Sequence, residues 1–207
     1  MDADGVRVVL RCMQQSQPLS LRLYKDISQP PPLESLRGVL QRLHTLVISL
    51  CYEVTDMSAL RSSGSLHTLD ISVCSRLTDV SALASCANLH TLDMSRCKGV
   101  TDVSALGSCA NLHTLNMRDC YNVKDVSALG KCASLHTLLM CNCKYVTDVS
   151  MLGGLHTLDM RDCYRVTDVS ALGGLHRLDM TWCYQVTDVS ALGGLHTLIW
   201  YNTHLFE

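Results

Sequence analysis

The residues Leu89 to Leu106, LHTLDMSRCKGVTDVSAL, form a unit from which nearly the whole chain is made. Its copies begin at Leu43, Leu66, Leu89, Leu112, Leu135, Leu155, Leu175 and Leu195, in steps of 23 residues up to Leu135 and of 20 residues beyond it. A fixed period of this size points to a solenoid, because each unit is one supersecondary element that buries its apolar side only by stacking on its neighbours. Within the unit, Leu92 and Met94 alternate with Thr91, Asp93 and Ser95, the pattern of a strand with one buried face. Val100, Val103 and Leu106 then fall three apart, which suits a short 3₁₀ turn, and Thr101 or Asp102 is placed to cap it. Each unit is therefore expected to be a strand, a turn and a short return segment.

The framework L-x-x-L-x-(I/M)-x-x-C-x-x-(V/L)-T-D runs through seven units, with Lys124 standing once for the threonine, and an eighth unit supplies its strand. This framework resembles the leucine-rich repeat over residues 43–207. The resemblance implies an α/β leucine-rich repeat solenoid, a right-handed arc with a parallel concave sheet and short 3₁₀ or helical convex segments. The cysteine after the strand, together with Cys86, Cys109 and Cys132, resembles the cysteine-containing subclass found in substrate-receptor subunits of ubiquitin ligases. The T-D-V-S-A-L return is closer to the short-repeat class of bacterial internalins. An adaptor of a ubiquitin ligase is thus one functional alternative.

Residues 1–42 lack the full repeat and are expected to form an N-terminal cap with a degenerate first repeat, leaving 43–207 as the repeat domain. In the cap, PLSLRLYKDI alternates like a strand, Pro30, Pro31 and Pro32 interrupt, and LESLRGVLQRL has amphipathic character. The longer units carry an insert (ASCANL, GSCANL, GKCASL) that the shorter ones replace with Gly153–Gly154, Gly173–Gly174 and Gly193–Gly194. Losing three residues shortens the return while strands stay about 4.8 Å apart. The curvature is therefore predicted to change near residue 150, with the glycines supplying φ values that other residues avoid. The last unit stops soon after its strand, so the open C-terminal edge is expected to support weak self-association.

A net charge of −2 gives no electrostatic footprint for nucleic acid or an anionic membrane. The apolar run Val8–Leu10 between Arg7 and Arg11 is too short for a signal-peptide core or a membrane span. An intracellular location is expected. Seven of the twelve cysteines share one repeat position, which reads as a reduced, structural column.

Other columns recur as well. Eight histidines (His44, His67, His90, His113, His136, His156, His176, His196) follow the first leucine of each unit, and Asp70, Asp93, Asp159 and Asp179 form a second column. A metal-binding protein using these His and Asp columns is an alternative of another class. A parallel ladder, however, points every side chain the same way, while a metal site needs convergent ligands, so neither a metal nor a cofactor is expected. Ser, His and Asp recur in every layer, whereas a catalytic site is a singular arrangement; no enzymatic activity is expected. What varies between copies lies on the outward positions around the ladder cysteine. Arg118, Asp119, Tyr121, Arg161, Asp162, Tyr164, Trp182 and Tyr184 combine aromatic with charged chemistry there and are the predicted partner-binding residues. The resulting expectation is a non-enzymatic module binding a protein partner on its concave face and rim, with Arg161 solvent-facing.

Overall fold

The structure is a computed structural model that describes residues 9–11, 19–23, 33 and 37–201. The expected breaker Pro30–Pro32 and the residues after 201, Phe206 among them, lie outside that set. Strands β1 (Val9–Arg11) and β2 (Leu19–Arg22) precede a single helical turn, α1 (Arg37–Leu40). Eight repeat strands follow: β3 (Leu43–Val47), β4 (Thr68–Asp70), β5 (Thr91–Asp93), β6 (Thr114–Asn116), β7 (Thr137–Leu139), β8 (Thr157–Asp159), β9 (Arg177–Asp179) and β10 (Thr197–Ile199). All ten form one sheet in chain order, β1 antiparallel to β2 and the remaining nine parallel. The stretch PLSLRLYKDI thus does contribute a strand, paired through Leu21 with Leu46.

Register follows the copies: Leu46, Leu69, Leu92, Leu115, Leu138, Leu158, Leu178 and Leu198 stand opposite one another. Behind them the layers repeat the same fillers. Leu112, Leu115, Met117, Cys120 and Val123 are all fully buried, as are their counterparts one layer before, Leu89, Leu92, Met94, Cys97 and Val100. The return segments are 3₁₀ turns, among them Ser81–Ser85, Ser104–Ser108, Ser127–Lys131 and Ser170–Gly174. Of the two capping candidates the aspartate acts: Asp102 Oδ1 accepts the Ser104 N–H at 2.7 Å, and Asp79, Asp125 and Asp168 do the same for Ser81, Ser127 and Ser170. These backbone bonds hold the carboxyls of Asp79, Asp125 and Asp168 below their usual range.

The glycine pairs differ from expectation. Gly153 and Gly193 have φ of −63°, and none of the glycines among the described residues occupies the left-handed region. In the first two pairs the first glycine is needed for another reason. A Cβ on Gly153 or Gly173 would collide with the carbonyl oxygen of Ala171 or Ala191 in the next layer, and one on Gly130 would lie 2.7 Å from the Met151 oxygen. Close approach of successive returns, rather than an unusual dihedral, excludes a side chain. In the histidine column, ring centroids are 4.6–4.9 Å apart over the longer units and 4.2–4.4 Å apart from His136 onward.

Left-handed backbone occurs instead just before the ladder cysteine, at Leu50, Val73, Arg96, Asp119, Asn142, Asp162 and Trp182, with φ between 59° and 65°. The chain leaves the sheet here in a tight turn, Cys97 N–H donating to Met94 O at 3.2 Å. The residue's own N–H still reaches the adjacent layer, as Val73 N–H does to Ser95 O at 2.8 Å. Both bonds constrain the same residue, so the conformation persists even where the side chain opposes it.

Candidate interaction surface

The ladder cysteines serve the scaffold. From Cys74 to Cys183 the thiol donates to a strand-end carbonyl one layer back, among them Cys97 to Ile71, Cys120 to Met94, Cys143 to Met117 and Cys183 to Met160, at 3.1–3.3 Å. The second column bonds to the 3₁₀ turn of the previous layer instead, Cys109 to Leu83 O and Cys132 to Leu106 O. Burial pushes these thiols up, to about 12 for Cys74, Cys97, Cys109, Cys143 and Cys183, so they are poor nucleophiles and poor metal ligands. Cys141 is the one partly exposed thiol among the described cysteines.

On the outward face of the sheet, the position after the central leucine holds Asp70, Asp93, Asn116, Leu139, Asp159 and Asp179 in register. Most of these side chains fold back onto their own turn, as Asp93 Oδ1 does in accepting the Ser95 N–H at 2.9 Å. Asp159 is different. It is only 7% exposed, and it receives Arg118 Nη2 at 2.6 Å, Arg161 Nε at 2.8 Å and Arg161 Nη2 at 2.9 Å. Burial alone would raise its pKa, but the hydrogen bonds from Arg161 and Arg118 outweigh it and hold the carboxylate below the usual range. Arg118 spans the Cys141 layer to reach it, and Arg161 also lies 3.8 Å from Asp179. Arg161 is therefore not simply solvent-facing: its guanidinium neutralises a buried carboxylate. Sequence reasoning placed Asp159 in its column but missed this hub; the signal available was two arginines, Arg118 and Arg161, flanking the one layer where Leu139 interrupts the polar column.

The remaining predicted residues lie along the ascending rim. Asp119 is held by Asn142 at 2.6 Å and Arg96 at 3.4 Å, and these bonds, with one from Tyr121, overcome burial to lower its pKa. The Tyr121 ring lies between Lys98 and Lys144, each 5.4 Å from its centroid, and Arg165 covers Tyr145 at 4.6 Å. Asp162 and Tyr164 are half-buried, and burial raises the Asp162 carboxyl. Trp182 and Tyr184 are 44% and 40% exposed. The fold thus links Arg118 with Arg161, sets Asp119 beside Tyr121, and leaves the aromatics of the seventh unit standing out of the surface.

On the other side of the strands the imidazoles stack face to face, with interplanar angles of 4–17°. Seven Nδ1 atoms lie 3.1–3.4 Å from the hydroxyl of the following threonine, for instance His90 and Thr91 at 3.3 Å. Among the described residues no three His, Cys, Asp or Glu side chains come together in a way that could hold a metal ion, and the His and Asp columns do not join. No described helix is long and apolar enough to cross a membrane.

A sequence model of leucine-rich repeats, in two copies, matches residues 64–108. Comparison with curated protein sequences finds no significant match. Among solved structures, internalin C2 of Listeria monocytogenes superposes with a TM-score of 0.70 at 23% identity, covering 88% of this chain and 80% of that one. A leucine-rich-repeat protein of Leptospira interrogans gives 0.60 at 18% identity, over 85% of this chain and 46% of that one. The Arabidopsis receptor kinase HAESA, solved with the peptide hormone IDA and the co-receptor SERK1, gives 0.61 at 20% identity, over 93% of this chain but 35% of its own length. Repeat framework, parallel sheet, 3₁₀ returns and these neighbours agree: the chain is a leucine-rich-repeat solenoid.

Proposed function

We propose that this solenoid is a non-enzymatic protein-interaction module that takes its partner on the outward sheet face and ascending rim. The observation that carries the reading is the contrast between the two kinds of outward side chain. Arg118 and Arg161 are held on Asp159, and Asp119 is held by Asn142 and Arg96, so little side-chain entropy remains to be lost on binding. Beside them, Trp182 and Tyr184 expose large aromatic surface of the type that dominates binding hot spots. The HAESA complex supports a peptide or protein as the ligand class for such a sheet. In this reading residues 1–42 close the first layer, no cofactor, nucleic acid or membrane is engaged, and the setting is intracellular. The buried, unpaired thiols support a reducing compartment.

The test begins with affinity capture at neutral pH to obtain a partner. Trp182→Ala and Tyr184→Ala should each then weaken it by about 1 kcal/mol or more. Unchanged affinity in both variants overturns the rim assignment.

A further inference from the structure

The histidine column has no part in the reading above, yet it is the longest uninterrupted chemical feature of the surface. It floors two grooves. One, of about 650 Å³, follows His44, His67, His90 and His113 between Ser65, Asn88, Asn111 and Ser134; the other, of about 510 Å³, follows His136 to His196 past Gly154, Gly174 and Gly194. Among the described residues, neither lining contains a carboxylate, a lysine or an arginine. The amides of Asn88 and Asn111 are engaged with the carbonyls of Gly64 and Ala87. The row beside the rings on the strands is threonine except at Arg177, which adds a further positive charge next to His176.

Among the described residues, a charge appearing on this column therefore meets other rings and, at His176, the neighbouring Arg177, but no carboxylate in either lining. Burial, and after it the two adjacent imidazoles, hold His67, His136 and His176 below the usual histidine range. Neighbouring rings lie 4.2–4.9 Å apart, so a positive charge on one ring is felt directly by the next. Each proton accepted is left without an internal counter-charge, and an anion from outside supplies it. A metal ion does not suit the geometry, because parallel rings aim their lone pairs in one direction. A nucleic acid or a sulfated glycan is served by permanent lysine and arginine charge, which the lining lacks.

We propose that the histidine groove is an acid-gated docking site for an extended, acidic peptide segment, closed to it while the rings are neutral and open once they are cationic. An extended peptide presents same-side carboxylates about 6.7 Å apart, so successive carboxylates find a fresh ring every one or two rungs. Each contact favours the protonated ring, and binding and proton uptake reinforce each other. The choice of a peptide rests on the protein-interaction reading; the acid gating rests on the column alone.

The experiment uses the full chain and a labelled poly-aspartate oligomer, with binding followed by fluorescence anisotropy at constant ionic strength. Affinity at pH 5.5 should exceed that at pH 7.5 by about tenfold or more. The variant His67→Asn, His113→Asn, His156→Asn interrupts alternate rungs and should lose most of that difference. Equal affinity at the two pH values, or an undiminished difference in the variant, overturns the proposal. Heparin binding at pH 5.5 while poly-aspartate stays unbound overturns the peptide assignment. Should the chain or the variant unfold at pH 5.5, poly-aspartate restoring the wild-type circular dichroism but not that of the variant supports the proposal, and failure to restore the wild type counts against it. None of these outcomes depends on Trp182 or Tyr184, whose variants test the rim separately at neutral pH.

Discussion

Val73 holds φ at 63°, a value that a β-branched residue adopts only under constraint, because its Cβ substituents crowd the backbone there. The same position is filled by Asn142, Asp119 and Asp162 in other layers, side chains that tolerate the left-handed region. Val73→Asn is therefore expected to stabilise the chain by about 1 kcal/mol, read as a higher urea midpoint with an unchanged slope. A lower midpoint would mean that the valine contributes packing that outweighs its strain. No property of a single repeat reveals this position; it emerges as the residue where the turn bond and the interlayer bond coincide.

At the scale of an element, the return segment shows how one layer constrains the next. The two glycines after Leu152 look equivalent in sequence, but only Gly153 faces the Ala171 carbonyl, while a Cβ on Gly154 would meet nothing within 4 Å. Gly153→Ala should cost about 1–3 kcal/mol through overpacking, and Gly154→Ala should stay within about 0.5 kcal/mol. Denaturant melts of the pair decide it; equal effects would place the constraint in the dihedral rather than in the contact. The strand and 3₁₀ portions were legible beforehand, since their buried faces follow periods of two and three within one unit. The glycine role was not, because the clashing atom belongs to a different unit.

Across the whole molecule, the histidine column couples stability to pH. His67 and His136 have lowered pKa values in the folded chain, so the unfolded chain binds more protons as pH falls below the ordinary value of 6.5. The stability contributed by the neutral stack is present above that value and is lost as pH drops through it toward the folded values. A urea midpoint that falls from pH 7.5 to 5.5 is expected, and replacement of His67 and His136 by Asn should flatten the dependence; a midpoint that rises on acidification would refute the coupling. The last described strand gives a second expectation. Leu198 is 38% exposed where its counterparts in earlier layers are fully buried, and β10 has one sheet neighbour among the described residues. We propose weak pairing of two copies through this edge, so the apparent mass in light scattering should grow with concentration and should stop growing in Leu198→Lys. A mass independent of concentration in the wild type would show the edge to be covered.

The sequence by itself determined the layer: its period, its buried leucine, methionine, cysteine and valine columns, and the row of outward positions that vary. These follow from spacing within one unit, and near-identical units must stack in register to bury the same faces. Only the tertiary structure decided how variable side chains in different layers meet. Arg118 and Arg161 are 43 residues apart in a chain whose layers hold 20 or 23, and the local pattern treats each as an exposed residue. Stacking brings both onto Asp159, and it likewise turns eight separate histidines into one coupled column. Contacts of this kind depend on side-chain reach across the sheet, a distance that no spacing along the chain encodes.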